Sequence, residues 1–71
     1  MRLKIDNYVA TYGHGALAEL VRQTGISRPS LTKYLSDPDY ECMVDFDTVT
    51  NVVKKVVLRR ENVVYQNEGL A

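Results

Sequence analysis

A glycine at position 25 separates two short segments of helical apolar spacing, and this break constrains the fold more than any other feature of the chain. A helix often ends at a residue with positive φ, a conformation that glycine adopts without steric strain. Two helix-start signals follow, because Ser27 can cap an N-terminus and Pro29 is tolerated in a first turn. The sequence therefore predicts a helix over residues 16–24, a turn at Gly25 and a second helix over residues 28–35.

The predicted helix 28–35 has an apolar side and a polar side. Leu31, Tyr34 and Leu35 recur at i, i+3 and i+4 and would pack against the preceding helix. The other positions would face solvent and all carry hydrogen-bonding groups: Arg28, Ser30, Thr32, Lys33 and Ser36. Two helices joined by a glycine turn, the second with a polar outer face, are a common means of placing a helix in the DNA major groove.

Charge is distributed unevenly along the chain, although the formal net charge is zero. Residues 20–36 contain Arg22, Arg28 and Lys33 and no acidic residue, whereas residues 37–47 contain five acidic residues and no basic one. Neutrality argues against a non-specific nucleic-acid coat, but a local basic face suits a small sequence-specific DNA-binding protein. A later basic group could contact phosphate or could simply be solvated: Lys54, Lys55, Arg59 and Arg60.

Each of these candidates also has a purely structural interpretation. Amphipathic helix pairs with a glycine turn occur in bundles that never touch DNA, and there Arg28 and Lys33 would be ordinary solvated side chains. The absence of acidic residues in this window favours DNA binding. His14 could contact phosphate near the start of the second helix, or it could be merely an exposed loop residue. Cys42, the only cysteine, excludes an internal disulfide and is expected to be a small, partly buried side chain rather than a nucleophile.

The length of 71 residues allows one domain, and 45% apolar with 25% charged residues is a globular composition. The sequence has no apolar segment of membrane-spanning or signal-peptide type, which predicts a cytoplasmic protein without membrane association. We expect no cofactor, no metal and no enzymatic activity, because the chain contains no ligand cluster and no phosphate-binding loop. A domain of this size is only marginally stable alone, so a homodimer is expected.

Outside the central pair, apolar spacing predicts a first helix over residues 4–12 and a fourth over residues 46–55. The fourth is ambiguous because its valines would also suit a strand, but the spacing favours a helix. Residues 56–66 predict a hairpin or kinked strand around Asn62, and residues 67–71 a flexible tail. An exposed valine-rich strand needs a partner, so this arm is the expected dimer interface. Its interface positions are Val56, Leu58, Val63, Val64 and Tyr65.

These features resemble the Cro/repressor-like helix-turn-helix family of phage and plasmid regulators. The family's turn glycine falls on Gly25, and its buried positions fall on Ile26 and Leu31. The resemblance implies a mainly α, lambda-repressor-like bundle of about four helices over residues 4–55, followed by a short C-terminal β arm over residues 56–66. It also implies a repressor that binds a pseudo-palindromic operator as a homodimer.

The resemblance places the base-reading positions at Arg28, Pro29, Thr32 and Lys33, with backbone contacts near Ser27 and Ser36. Ser30, Arg22 and His14 complete the backbone contacts that we expect. Because proline offers no donor, most of the base recognition would fall on the other three side chains.

Addiction-module antitoxins are similar over the same segment, which leaves a second hypothesis open. Such a protein would bind a toxin protein through its C-terminal segment and repress its own operon through the helix pair. One departure from the family pattern concerns the packing of the two helices: the family usually has alanine four residues before the turn glycine, where this chain has Val21.

Overall fold

The structure is a computed structural model that describes residues 1–67. Over these residues, three helices pack with a four-stranded antiparallel sheet. The helices are α1 (Ile5–Tyr12), α2 (Ala16–Thr24) and α3 (Arg28–Ser36). The strands are β1 (Arg2–Lys4), β2 (Met43–Phe46), β3 (Val53–Leu58) and β4 (Asn62–Gln66), and a 3-10 helix, Pro38–Tyr40, lies between α3 and β2. Among these described residues, no helix is both long enough and apolar enough to cross a membrane.

The three predicted helices before residue 37 are confirmed to within one residue at each end. Gly25 ends α2 with a φ of 73°, and its N–H donates to the carbonyl of Val21 at 2.9 Å. Ser27 caps α3, because its Oγ accepts from the N–H of Ser30 at 3.4 Å. Local turn chemistry therefore determines where both helices of the central pair end and begin.

The predicted fourth helix over residues 46–55 is wrong, and the mainly α fold class is wrong with it. In this segment Oδ1 of Asp47 accepts from the N–H groups of Val49 at 2.7 Å and Thr50 at 3.1 Å and closes a turn. Asn51 leaves this turn with a φ of 61°. The turn joins β2 to β3. Val49, which the prediction placed on the apolar stripe of the fourth helix, lies at the tip of this turn and is 87% exposed.

The sheet has the order β1-β2-β3-β4, and each neighbouring pair is antiparallel. The sequence did not predict β1, in which Leu3 pairs with Val44. The predicted hairpin exists, but its first strand begins at Val53 and it continues the sheet rather than forming a separate arm. Its turn uses Arg59 and Arg60 in the left-handed region, with φ values of 52° and 66°, instead of Asn62.

The predicted flexible tail over residues 67–71 begins beyond β4. The N–H of Asn67 donates to the carbonyl of Lys54 at 2.8 Å, so this first position continues the pairing with β3. Residues 68–71 lie outside the described residues.

The hydrophobic core lies between the helices and one face of the sheet. Its fully buried large side chains come from both layers: Leu20, Leu31, Val44, Phe46, Val53 and Val56. Two expected dimer positions need correction, because Val56 is 0% and Leu58 only 7% exposed within the single chain. Their side chains fill the chain's own core and are unavailable to a partner.

Gln23 connects α2 to the β2–β3 turn. Its Oε1 accepts from the N–H of Val53 at 2.7 Å, and its Nε2 donates to the carbonyl of Asn51 at 3.2 Å. Nε2 also donates to Oε1 of Glu19 at 3.1 Å. The Gln23 amide therefore provides the hydrogen-bond acceptor for the first N–H of β3 and fixes the sheet relative to α2.

We expect Gln23→Ala to lower the free energy of unfolding by about 1–3 kcal/mol, because the N–H of Val53 would lose its partner at a buried strand start. Urea unfolding should show a lower midpoint with an unchanged slope. Gln66→Ala on the exposed end of β4 is the matched control and should change stability by less than about 0.5 kcal/mol. Equal midpoints for the two variants would contradict the role assigned to Gln23.

Candidate nucleic-acid interface

The α2–turn–α3 unit is held from beneath by the core. Leu20 of α2 and Leu31 of α3 are both completely buried, and Val21 and Ile26 pack against the same cluster half-buried. Val21 thus lies within the packing between the helices and the core. One side of α3 is fixed, and its opposite side faces solvent.

All four predicted base-reading side chains lie on the outer side of α3. Arg28, Pro29, Thr32 and Lys33 are exposed, as the apolar spacing predicts. Arg28 forms no ion pair with any residue of the described part of the chain. Pro29 occupies the first turn, where its missing N–H breaks no helical hydrogen bond. Three hydrogen-bonding side chains are therefore presented on one accessible helix surface.

The serines near α3 differ in their availability. The Ser27 hydroxyl donates to Oγ of Ser30 at 2.9 Å, and Ser30 is half-buried rather than fully outward as the sequence predicted. Ser36 donates to the carbonyl of Thr32 at 2.7 Å, so its proton is already used within the helix. Ser36 also lies at the negative end of the helix dipole, directly before Asp37, which is unfavourable for a phosphate contact. The Ser27 proton is also engaged, but Ser27 lies at the positive end of the dipole of α3 and is therefore better placed than Ser36 for a phosphate contact.

Arg22 is less available than the sequence pattern indicates. Its Nη2 pairs closely with Glu19, and its Nε donates to Oε2 of the same carboxylate at 3.0 Å. These hydrogen bonds hold the pKa of Glu19 below its usual value. Glu19 lies just outside the acid-free window of residues 20–36, on the i, i+3 position that an ion pair across one helical turn requires. The positive charge of Arg22 is therefore locally compensated.

His14 lies in the exposed connection between α1 and α2. It lines a hollow of about 320 Å³ with Tyr12, Gly15 and Asn51. Gly15 precedes α2 with a φ of 96° and provides no side-chain cap to the first N–H groups of the helix. The expected phosphate contact at His14 therefore lies beside a helix N-terminus, which favours an anion, but Glu19 lines the same hollow and opposes one.

Tyr40 organises a basic cluster that the sequence pattern did not indicate. The ammonium of Lys33 lies 5.7 Å and the guanidinium of Arg59 5.8 Å from the centroid of its ring. Tyr34 contacts the same ring edge-on at 5.1 Å. A hydrogen-bonding interaction with Tyr40 raises the pKa of Lys33 above its usual value. These residues belong to three different elements, so only the tertiary structure brings them together.

The two ends of α3 differ in charge. Arg28 is at its N-terminus, whereas Asp37, Asp39 and Glu41 lie exposed just beyond its C-terminus. The positive end of the helix dipole coincides with the arginine, and the negative end with the acidic loop. A polyanion is therefore favoured at the N-terminal half of α3.

The sheet edge is the remaining candidate contact surface. β4 occupies one edge of the sheet, and its Val63 is 43% exposed. Val64 and Tyr65 are half-buried and pack against the core. Of the expected interface positions, these three remain accessible to a partner.

Comparisons with protein families, with curated protein sequences and with solved structures find no match for this chain. The resemblance to the Cro/repressor-like family therefore stays a prediction. Within residues 1–67, no three His, Cys, Asp or Glu side chains come together as a metal site.

The thiol of Cys42 is buried, and burial raises its pKa to about 11 from the ordinary 9.0. We expect labelling by a thiol reagent at about pH 8 to be slow in the native protein and fast in urea, because the thiolate is the nucleophile. Since folding favours the neutral thiol, its contribution to stability is complete below pH 9 and is lost as the pH rises towards 11. Equal labelling rates in the native and unfolded protein would contradict this assignment.

Proposed function

We propose that this chain is a sequence-specific double-stranded DNA-binding transcriptional regulator that reads the major groove with α3. The observation that carries the proposal is the placement of Arg28. It stands exposed at the first residue of a helix whose opposite side is anchored by the completely buried Leu31, and no acidic side chain of residues 1–67 forms an ion pair with it.

The proposed mechanism is recognition of base edges without chemical catalysis. The guanidinium of Arg28 donates two hydrogen bonds to the O6 and N7 atoms of a guanine, and Thr32 contacts a thymine methyl or a polar base edge. Lys33 reaches a guanine or a neighbouring phosphate. Each good bidentate contact contributes about 1–3 kcal/mol of discrimination against the wrong base. Repression then follows from occupation of a promoter.

Backbone contacts would set the position of α3 in the groove. The N-terminal turn of α3 carries Ser27 and Ser30, and the N-terminal turn of α2 begins beside His14. The positive ends of these two helix dipoles favour phosphate oxygens, and the backbone N–H of Arg28 and the hydroxyl groups of the two serines are the nearest groups of α3. Such contacts fix register and orientation but carry no sequence information.

A homodimer formed through the β4 edge is part of this proposal. An edge strand with an exposed Val63 has N–H and C=O groups that can pair with the same strand of a second copy. A two-fold dimer would present its two α3 helices about 34 Å apart and recognise a pseudo-palindrome. The antitoxin hypothesis requires a C-terminal segment that folds on a toxin, and no contact within the described residues favours it over the homodimer.

Selection of bound duplexes from a random library near physiological salt, followed by a mobility-shift assay, tests the proposed function directly. We expect a pseudo-palindromic winner with half-sites one helical turn apart. Enrichment of a single half-site would contradict the dimer. Failure to enrich any sequence would contradict sequence-specific DNA binding itself.

On the selected duplex, we expect Arg28→Ala to lower the preference for the guanine it contacts by about 1–3 kcal/mol, because the bidentate contact is lost. The matched control is Lys54→Ala, which removes an exposed cation from β3, outside the helix pair. Competition assays with single-base variants of the duplex measure the preference at each position. If both variants keep the wild-type preference, α3 does not read the bases.

A further inference from the structure

The β3–β4 turn carries two arginines in a backbone conformation that is unfavourable for them. Arg59 and Arg60 are consecutive and have φ values of 52° and 66°. They are the central residues of a β-turn in which the N–H of Glu61 donates to the carbonyl of Leu58 at 3.3 Å, and turns with positive φ at both central positions normally use Asn-Gly or Asp-Gly. Such outliers concentrate at functional sites, where the side chain matters more than local strain. Arginine therefore occupies both central positions of this turn although the backbone conformation there disfavours it.

Arg59 is held in a defined position. Its N–H donates to the carbonyl of Tyr40 at 3.0 Å, and its Nε donates to the carbonyl of Asp39 at 3.2 Å. The Nε bond occupies one edge of the guanidinium, and the two terminal nitrogens remain as donors. In residues 1–67 no carboxylate forms an ion pair with Arg59.

Lys33 lies against the same aromatic ring from the α3 side. Its ammonium and the guanidinium of Arg59 are both within 6 Å of the Tyr40 ring centroid, a distance at which cation–π attraction operates. Asp37 influences Lys33 electrostatically but forms no ion pair with it within the described residues. Tyr40 thus lies beside two cations from distant parts of the chain, neither of which forms an ion pair with a carboxylate of residues 1–67.

Lys33 is also adjacent to the proposed base-reading surface. It lies one helical turn after Pro29, on the stripe beside Arg28 and Thr32. A DNA strand that borders the groove occupied by α3 would therefore run past Lys33.

We propose that Lys33 and Arg59, each positioned by the ring of Tyr40, form a two-cation clamp for the DNA phosphate backbone beside the groove that α3 reads. This inference rests on the proposed function and extends the DNA contact from the helix pair to the β3–β4 turn. Arg59 donates from its terminal nitrogens and Lys33 from its ammonium to the phosphate backbone that passes Tyr40. The clamp adds affinity and orientation, and it leaves the sequence preference to Arg28.

The test compares charge variants on the selected duplex and on a scrambled duplex, between about 50 and 200 mM salt. Arg59→Asn removes the charge and suits the positive φ of this position, so the turn is preserved. We expect it to weaken binding to both duplexes by the same factor and to reduce the slope of log K against log salt by about 1. Lys33→Gln should do the same, and Arg59→Lys should keep the wild-type slope.

Lys54→Asn is the matched control, because Lys54 lies near Asp47 at the other end of the sheet and should leave the slope unchanged. A wild-type slope for Arg59→Asn, with specificity still sensitive to Arg28→Ala, would overturn the clamp and leave the proposed function intact. Absence of any enriched duplex for the wild-type protein would instead overturn the proposed function. A thermal unfolding midpoint for each variant shows that the fold is retained.

Discussion

Burial of α2 and α3 against the sheet is the interaction on which the rest of the structure depends. Leu20 and Leu31 have no exposed surface, and the layer that covers them includes Val44 and Val53 from β2 and β3. Three helices of eight or nine residues are too short to be stable in isolation, so their stability comes from tertiary packing. The sheet is therefore not an appendage to a helical domain but half of its core, and Gln23 joins the two layers by hydrogen bonds at the start of β3.

The sequence predicted the helices because their signals are local. Gly25, Ser27 and Pro29 act on the backbone within one turn of their own positions, and the structure places the helix ends where these residues require. The prediction of a helix over residues 46–55 failed because valines at helical spacing also fit the alternation of a strand. In the structure Asp47 closes a turn after β2 through its hydrogen bonds to Val49 and Thr50, and the spacing of the valines does not indicate that turn. β1 is only three residues long, and its existence depends on pairing with β2 some forty residues later.

The sequence predicts the part of the candidate site that lies on α3, because the spacing that defines the helix also defines its exposed side. Exposure of Arg28, Thr32 and Lys33 follows from the buried stripe of α3, so periodicity alone placed them. The charge of Arg22 was overestimated, because its partner Glu19 stands one position outside the window that the charge pattern defined. The cluster around Tyr40 has no linear signature, since its cations are separated by 26 positions in the chain and meet only through the contact of the 3-10 helix with the β3–β4 turn.

A net charge of zero is compatible with the proposed function because the charges are segregated. Non-specific affinity for DNA rises with the number of phosphates that a protein neutralises, and a neutral protein with few such contacts has little of it. The specificity ratio is then set mainly by base contacts, which places a large share of the discrimination on Arg28. The exposed carboxylates of Asp37 and Asp39 add a directional constraint, since they repel a DNA backbone everywhere on this loop except where Lys33 and Arg59 offset them beside Tyr40. Under the proposed function, attraction at the start of α3 and repulsion by the carboxylates beyond its end would favour one orientation of the helix in the groove, with the two cations at Tyr40 as the contact point between these regions.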